Sequence, residues 1–202
     1  MQRREAKENR KEDIFTAAVT CFNKNGYYKT SMDMIAESAK MTKRGLYYHF
    51  KSKDELFIEL FHYMNKKYYE QIPSYASEVS DPEERMLIFL KIANTVLKEN
   101  TDFLKFSHEF MSIGIRKPAI REVMTSYYGE QVEKVRNIID NGIQSGQFAP
   151  VDSEKMARAI VLITIGAFNT YFTLNATFNL AEQHNFNIVH LLKGLKNGHN
   201  SQ

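Results

Sequence analysis

Residues 30–56 read TSMDMIAESAKMTKRGLYYHFKSKDEL, and the order of caps, apolar steps and charges within them sets the architecture of the chain. Thr30 or Ser31 caps a short helix, with Asp33 three residues after Thr30 in the manner of a capping box. Its inward face is Met34, Ile35 and Ala39, with Met32 near the start. Lys40-Met41 turns the chain, and Thr42 caps a second short helix reaching Phe50. Leu46 and Phe50, four residues apart, face a core. Lys53-Asp54-Glu55 then opens a long amphipathic helix carrying Leu56, Phe57, Leu60, Phe61, Met64 and Tyr68 at three- and four-residue steps. Two short helices around a tight turn thus bring Lys43, Arg44, Tyr47, Tyr48, His49, Lys51 and Lys53 close together.

Outside this stretch, too, every readable element is helical. A first helix runs from about Lys11 to Lys24 and stops at Asn25-Gly26, where glycine can take a left-handed cap. Pro73 ends the amphipathic helix. Ser80-Asp81-Pro82-Glu83-Glu84 starts another with a cap, an N1 proline and first-turn acids, and its apolar face is Met86, Phe89, Leu90, Ala93, Val96 and Leu97. Thr101-Asp102 begins an aromatic helix, and Lys117-Pro118 begins a longer one reaching Gln144. Asp152 caps an uncharged helix, and Asn187 caps a last short one through Leu195. No strand alternation and no repeat occurs, so the fold class is all-α with about nine helices. We expect residues 1–53 to form a three-helix DNA-binding head with a helix-turn-helix, and residues 54–202 to form a helical ligand-binding and dimerisation bundle.

Charge supports that division. Residues 1–53 hold 12 Lys and Arg against 6 Asp and Glu, whereas the remainder holds 15 against 18. A basic head on an acidic body suits a polyanion partner. A single cysteine, Cys21, excludes an internal disulfide and a cysteine zinc site. Its place on the stripe Ile14, Phe15, Ala18, Cys21, Phe22 predicts a small buried hydrophobe. The N-terminus is too polar for a signal peptide, so a cytoplasmic protein is expected. Residues 159–181 lack charge, yet seven of them are Thr or Asn, a polar load unsuited to lipid. No membrane partner is expected.

A helix in the major groove needs first-turn side chains that reach base edges while neighbours grip phosphates. With Thr42 as cap, Lys43, Arg44 and Gly45 occupy that turn. Arg44 can bond two guanine acceptors at once, Lys43 can reach a guanine or a phosphate, and Gly45 permits close approach of backbone to DNA. Tyr47, Tyr48 and His49 lie around the outer side as phosphate or thymine-methyl contacts. Lys53 adds a cation and free backbone N–H groups at a helix start.

The word GLYYHFKSKDELF, with the preceding AAVTCFNKNGYYKTSMDMIAESAKMTKR, resembles the TetR family of bacterial transcriptional regulators over about Asp13 to Phe61. In that family the recognition helix ends in Leu-Tyr-x-His-Phe and continues as Lys-x-Lys into the fourth helix. Lys40 departs from the glycine that many members have in the turn. The resemblance implies that Thr30 or Ser31, Tyr47, Tyr48, His49 and Lys53 hold the DNA backbone. It implies that Lys43 and Arg44 read bases, with Gly45 beside them. A pocket between the fourth and eighth helices is also implied, without a selected lining.

Aromatic and methionine residues of the body supply candidates for that pocket: Phe106, Phe110, Met111, Tyr127, Tyr128, Phe168 and Phe172, with His108, Glu109 and Asn169 to orient a ligand. Such stripes are more often plain core, and Glu109 could meet a cation or stand in solvent. Ala157, Ile160, Val161, Thr164, Ala167, Phe168 and Tyr171, with Ile188, Leu191, Leu192 and Leu195, suggest a symmetric homodimer interface. The expected function is a ligand-responsive transcriptional regulator. As a repressor it would bind a palindromic double-stranded DNA operator as a homodimer and be released by a small hydrophobic or aromatic inducer. A non-specific architectural DNA-binding protein is the alternative. No catalytic motif, metal constellation or phosphate-cradling loop occurs, so neither an enzyme nor a cofactor is expected.

Overall fold

The computed structural model describes residues 2–69, 79–174 and 177–196, apart from the side chains of 2–9, 68, 69, 89, 90, 92–94, 96–99 and 172. Among the described residues the chain forms nine helices: α1 (Gln2–Lys29), α2 (Met32–Ser38), α3 (Lys43–His49), α4 (Lys53–Tyr69), α5 (Pro82–Glu99), α6 (Thr101–Gly114), α7 (Pro118–Gln144), α8 (Ser153–Thr173) and α9 (Leu180–Leu195). None is long and apolar enough to cross a membrane. Pro73, and the side chains of Tyr68, Phe89, Leu90, Ala93, Val96 and Leu97, lie outside what is described.

The first helix begins earlier than its apolar stripe predicts, at Gln2, because the Arg, Lys, Glu and Ala before Lys11 are good helix formers in their own right. Its interruption falls where expected. Gly26 takes φ 74° and ψ 165°, and one further turn follows to Lys29. Ser31 is the N-cap of α2, accepting from the Met34 amide at 3.2 Å. Thr30 is buried instead, its hydroxyl donating to the carbonyls of Cys21 and Gly26. A capping box counted from Thr30 to Asp33 is therefore not formed. The inward face of α2 is Met32, Ile35 and Ala36, whereas Met34, expected inward, stands exposed and Ala39 is half-buried at the C-cap.

Packing divides the chain into two compact units, the first of residues 1–69 and 101–124, the second of residues 70–100 and 125–202. In the first, α1 packs on α2, α4 and α6. Its core is a cluster of rings around Phe57. Centroids lie 4.8 Å away for Phe22 and Tyr27, 4.9 Å for Phe106 and 5.0 Å for Phe110. Phe61 stacks on Phe110 at 4.1 Å. Such pairs add to the gain from burying their faces. Cys21 is buried, as its stripe predicts.

In the second unit α9 packs on α5 and α8. Ala157, Ile160, Val161, Ile188, Leu192 and Leu195, expected at a partner interface, are buried in this unit's own core with Val135, Ile139 and Phe148. Facing helices of one chain satisfy their apolar stripes first. The exposed apolar side chains of this region are others: Leu162, Leu174, Phe178 and Phe186. Phe148 folds back over the end of α7, where a Cβ on Gly142 would clash with its ring. The last helix is longer than expected. Asn179, not Asn187, caps α9, accepting from the Glu182 amide at 3.2 Å. The uncharged stretch breaks after Thr173, so its last residues open α9 and leave Asn187 in mid-helix.

Candidate nucleic-acid interface

Thr42 begins the interface as the N-cap of α3, its hydroxyl accepting from the Gly45 amide at 3.1 Å. A Cβ on Gly45 would stand 3.2 Å from that hydroxyl and 3.3 Å from the Met41 methyl. Crowding at the cap thus gives Gly45 a local reason, beside the approach to DNA that the sequence suggests. Leu46 and Phe50 are fully buried and pin α3 to the core. With that side fixed, Lys43, Arg44, Tyr47 and Tyr48 are exposed, Tyr48 at 77 %, and His49 is half-buried at the helix end.

The cations differ in how they are held. Lys43 pairs with Asp33 at 2.8 Å, joining α2 to α3 through an exposed bridge. The hydrogen bond to Asp33 raises the Lys43 ammonium above its ordinary value, so it stays charged. Arg44 makes no ion pair among the described residues and keeps its planar fork open to solvent. Lys53 is committed elsewhere. Its ammonium donates to the carbonyls of Tyr27 and Thr30, each at 2.7 Å, and lies 4.4 Å from the Tyr27 ring centre. It thereby serves carbonyls at the end of α1, where helical partners run out. Burial lowers its pKa.

Tyr27 is the hub of this end of the unit, and no local sequence signal marks it as one. Its amide donates to Glu109 at 2.7 Å and its hydroxyl donates to Asp54. Asp54 also accepts from Lys117 at 2.7 Å. Burial pushes the Tyr27 phenol up to about 12, with the Asp54 hydrogen bond adding to it. Burial alone would raise Asp54, but hydrogen bonds from Lys117 and Tyr27 together outweigh it and hold the carboxyl below its ordinary value. Partners from α4, α6 and the start of α7 thus fix the Gly26–Thr30 segment that leads into α2. The start of α4 is capped by Ser52, which accepts from the Glu55 amide, while Glu55 accepts from the Lys51 amide.

Among the sequence-derived DNA contacts, Ser31, Thr42, Lys43, Arg44, Gly45, Tyr47, Tyr48 and His49 gather on α3 and at the caps of α2 and α3. The Thr30 side chain and the Lys53 ammonium are turned to the end of α1. A groove of about 600 Å³ beside α3 is lined by Thr42, Gly45, Tyr48 and His49, and also by Arg10, Glu37, Lys40 and Met41. No motif in the sequence singles out this last group as part of a site.

The ligand candidates fall in both units. Phe106, His108, Glu109, Phe110 and Met111 belong to the first, where Phe106 and Phe110 are fully buried in the ring cluster and Glu109 holds Tyr27. Tyr127, Tyr128, Phe168 and Asn169 belong to the second, all half-buried, and Phe172 lies outside the described side chains. In the same unit His184 is buried on α9 with Nε2 2.9 Å from the Thr164 hydroxyl. Burial lowers its pKa to about 4, which keeps the imidazole neutral.

A capped, exposed recognition helix pinned by Leu46 and Phe50 defines a DNA-binding transcriptional regulator of the helix-turn-helix class. Residues 14–60 match the family model described as bacterial regulatory proteins, tetR family. Over these residues the chain carries the DNA-binding domain of the TetR family. It is 25 % identical to the HTH-type transcriptional regulator QacR of Staphylococcus aureus over 175 residues, covering 87 % of this chain and 90 % of that one. A TetR transcription regulator from Haloarcula marismortui superposes with a TM-score of 0.85 at 22 % identity, over 94 % of this chain and 100 % of that one. The transcriptional regulator FadR from Bacillus subtilis, solved in complex with stearoyl-CoA, gives a TM-score of 0.79 at 20 % identity, over 91 % of this chain and 98 % of that one.

Proposed function

We propose that this chain is a ligand-responsive repressor that binds a palindromic double-stranded operator as a homodimer and is released by a small hydrophobic or aromatic inducer. The observation that carries the reading is the exposed, pre-capped α3 with the open Arg44 guanidinium at its first turn. Arg44 reads a guanine through two acceptors. Lys43 exchanges Asp33 for DNA, and Ser31, Tyr47, Tyr48 and His49 hold phosphates. Residues 1–53 act as the reading head and 54–202 as the sensing and dimerising body.

Two heads follow from a symmetric pairing of the exposed α8–α9 side chains, Leu162 and Phe186 foremost. Two reading helices then meet half-sites about one helical turn apart. The inducer is taken up by the aromatic body, with the half-buried Tyr127, Tyr128, Phe168 and Asn169 of the second unit as its contacts. The Bacillus subtilis FadR complex with stearoyl-CoA supports an apolar ligand of some length. Release works through α4. Because Lys53 and Asp54 of its first turn both grip Tyr27, a displaced α4 carries the entry to α2 with it. The inducer shifts the equilibrium only by its differential affinity for the released conformation.

The test is a panel of long-chain acyl thioesters, free fatty acids and planar aromatic cations titrated into the full chain bound to its selected duplex. A compound that binds and weakens the complex in proportion to its occupancy supports induction. Compounds that bind the body tightly and leave operator affinity unchanged would contradict it.

A further inference from the structure

Lys40 closes the turn between α2 and α3 with φ 51°, the one positive φ at a non-glycine position among the described residues. Its amide donates to the Glu37 carbonyl at 3.0 Å and the Met41 amide to the Ala36 carbonyl at 2.9 Å. The turn therefore demands the left-handed region, where a Cβ crowds the backbone and glycine is at ease. Lysine at such a position is a local strain, and strain that persists at an exposed site points to a use for the side chain. That side chain is exposed and makes no ion pair among the described residues.

We propose that Lys40, with Arg10 beside it, forms a second grip on the operator's sugar-phosphate backbone. Both line the groove that also contains Thr42 and Gly45 of the first turn of α3, so the groove continues the reading surface. A recognition helix in the major groove lies between two phosphate strands, and a cation on this flank meets the strand there. Among the described residues Arg10 is tied only to Asp13, at 3.4 Å with both side chains at least half exposed, a pair of small worth that a phosphate displaces. Glu37 is the one carboxylate in the lining. The grip supplies affinity and no base preference. It rests on the reading of α3 as the DNA-facing helix.

Lys40→Gly relieves the strain and removes the cation together, so stability and DNA affinity should move in opposite directions. In the full chain it should melt a few degrees higher than the unaltered protein. Its affinity for the selected duplex should nonetheless fall roughly three- to tenfold, and the slope of log affinity against log salt should shrink by about one. The same loss should appear on scrambled DNA. Lys40→Arg should keep both affinity and slope. Lys40→Gly binding with unchanged affinity and slope would overturn the proposal, and so would weaker binding with an unchanged slope, which marks turn geometry. Arg44→Ala, run alongside, reports on the underlying reading. If that variant keeps its sequence preference while Lys40→Gly loses slope, the base-reading assignment fails and the grip stands. Absence of any DNA binding by the unaltered chain would sink both.

Discussion

The segment from Ser31 to Glu55 and the pair α8–α9 are built on opposite terms. In the first, each structural decision is made by a residue acting on its immediate neighbours: Ser31 and Thr42 cap, Lys40 turns, Leu46 and Phe50 anchor. In the second, apolar residues occur around much of each helix, and only packing decides which face belongs to the chain's own core. Caps and turns declare themselves locally, whereas the choice between core and partner surface is a property of the assembled unit.

The strongest effects should fall where the two faces of α8–α9 part. Leu192 is 3 % exposed in the second unit's core, and Leu192→Ala should cost about 2–5 kcal/mol of stability by denaturant unfolding. Leu162 is 56 % exposed. Leu162→Arg should preserve helical circular dichroism and yield monomers by sedimentation, and a stable dimer in that variant would contradict the proposed interface.

On the other side of the comparison, Arg44→Ala should leave unfolding unchanged and lose about 1–3 kcal/mol of operator affinity, together with preference at one base pair. The two regions also have separate acid limits. His184 has its folded pKa depressed from 6.5 to about 4 by burial, so the stability it contributes is present above the ordinary value and lost as pH falls. At pH 5 the loss should reach roughly 2 kcal/mol. His184→Gln should abolish that step. Asp54, also depressed, loses its contribution only as pH drops below the ordinary carboxylate value of 3.8, so the first unit should resist acid longer. A single acid transition unaffected by His184→Gln would remove the distinction.

Smaller still is the expected effect at Lys53. Lys53→Met strands the carbonyls of Tyr27 and Thr30 and should cost about 1–2 kcal/mol of stability. The salt slope of DNA binding should not change, because the ammonium is engaged with α1. A slope reduced by about one would return Lys53 to the phosphate contacts.

The same division explains what the sequence reveals and what it hides. The helix-turn-helix, the caps at Thr42 and Asp152 and the buried pair Leu46 and Phe50 are legible because cap chemistry and apolar spacing act within one or two turns. The Tyr27 hub is not, since Asp54 and Glu109 lie 27 and 82 residues along the chain from it. Lys53 is legible as a cation at a helix start but not in its direction, which the carbonyls of Tyr27 and Thr30 at the end of α1 determine. Met34 turns outward because Met32, Ile35 and Ala36 take the inward face of α2, a choice that packing makes among closely spaced apolar residues. Asn179 and Asn187 offer the same capping chemistry, and only the end of α8 chooses between them.

That α3 reads sequence, and that two copies read together, is best tested by selection from a random duplex pool. Affinity for the winning duplex and for a scrambled one would then be measured at two salt concentrations. A palindromic winner bound at least about a thousandfold more tightly than scrambled DNA is expected, with the margin sharply reduced in Arg44→Ala. Equal, salt-sensitive binding to every duplex would contradict this and leave a cationic surface without a reader.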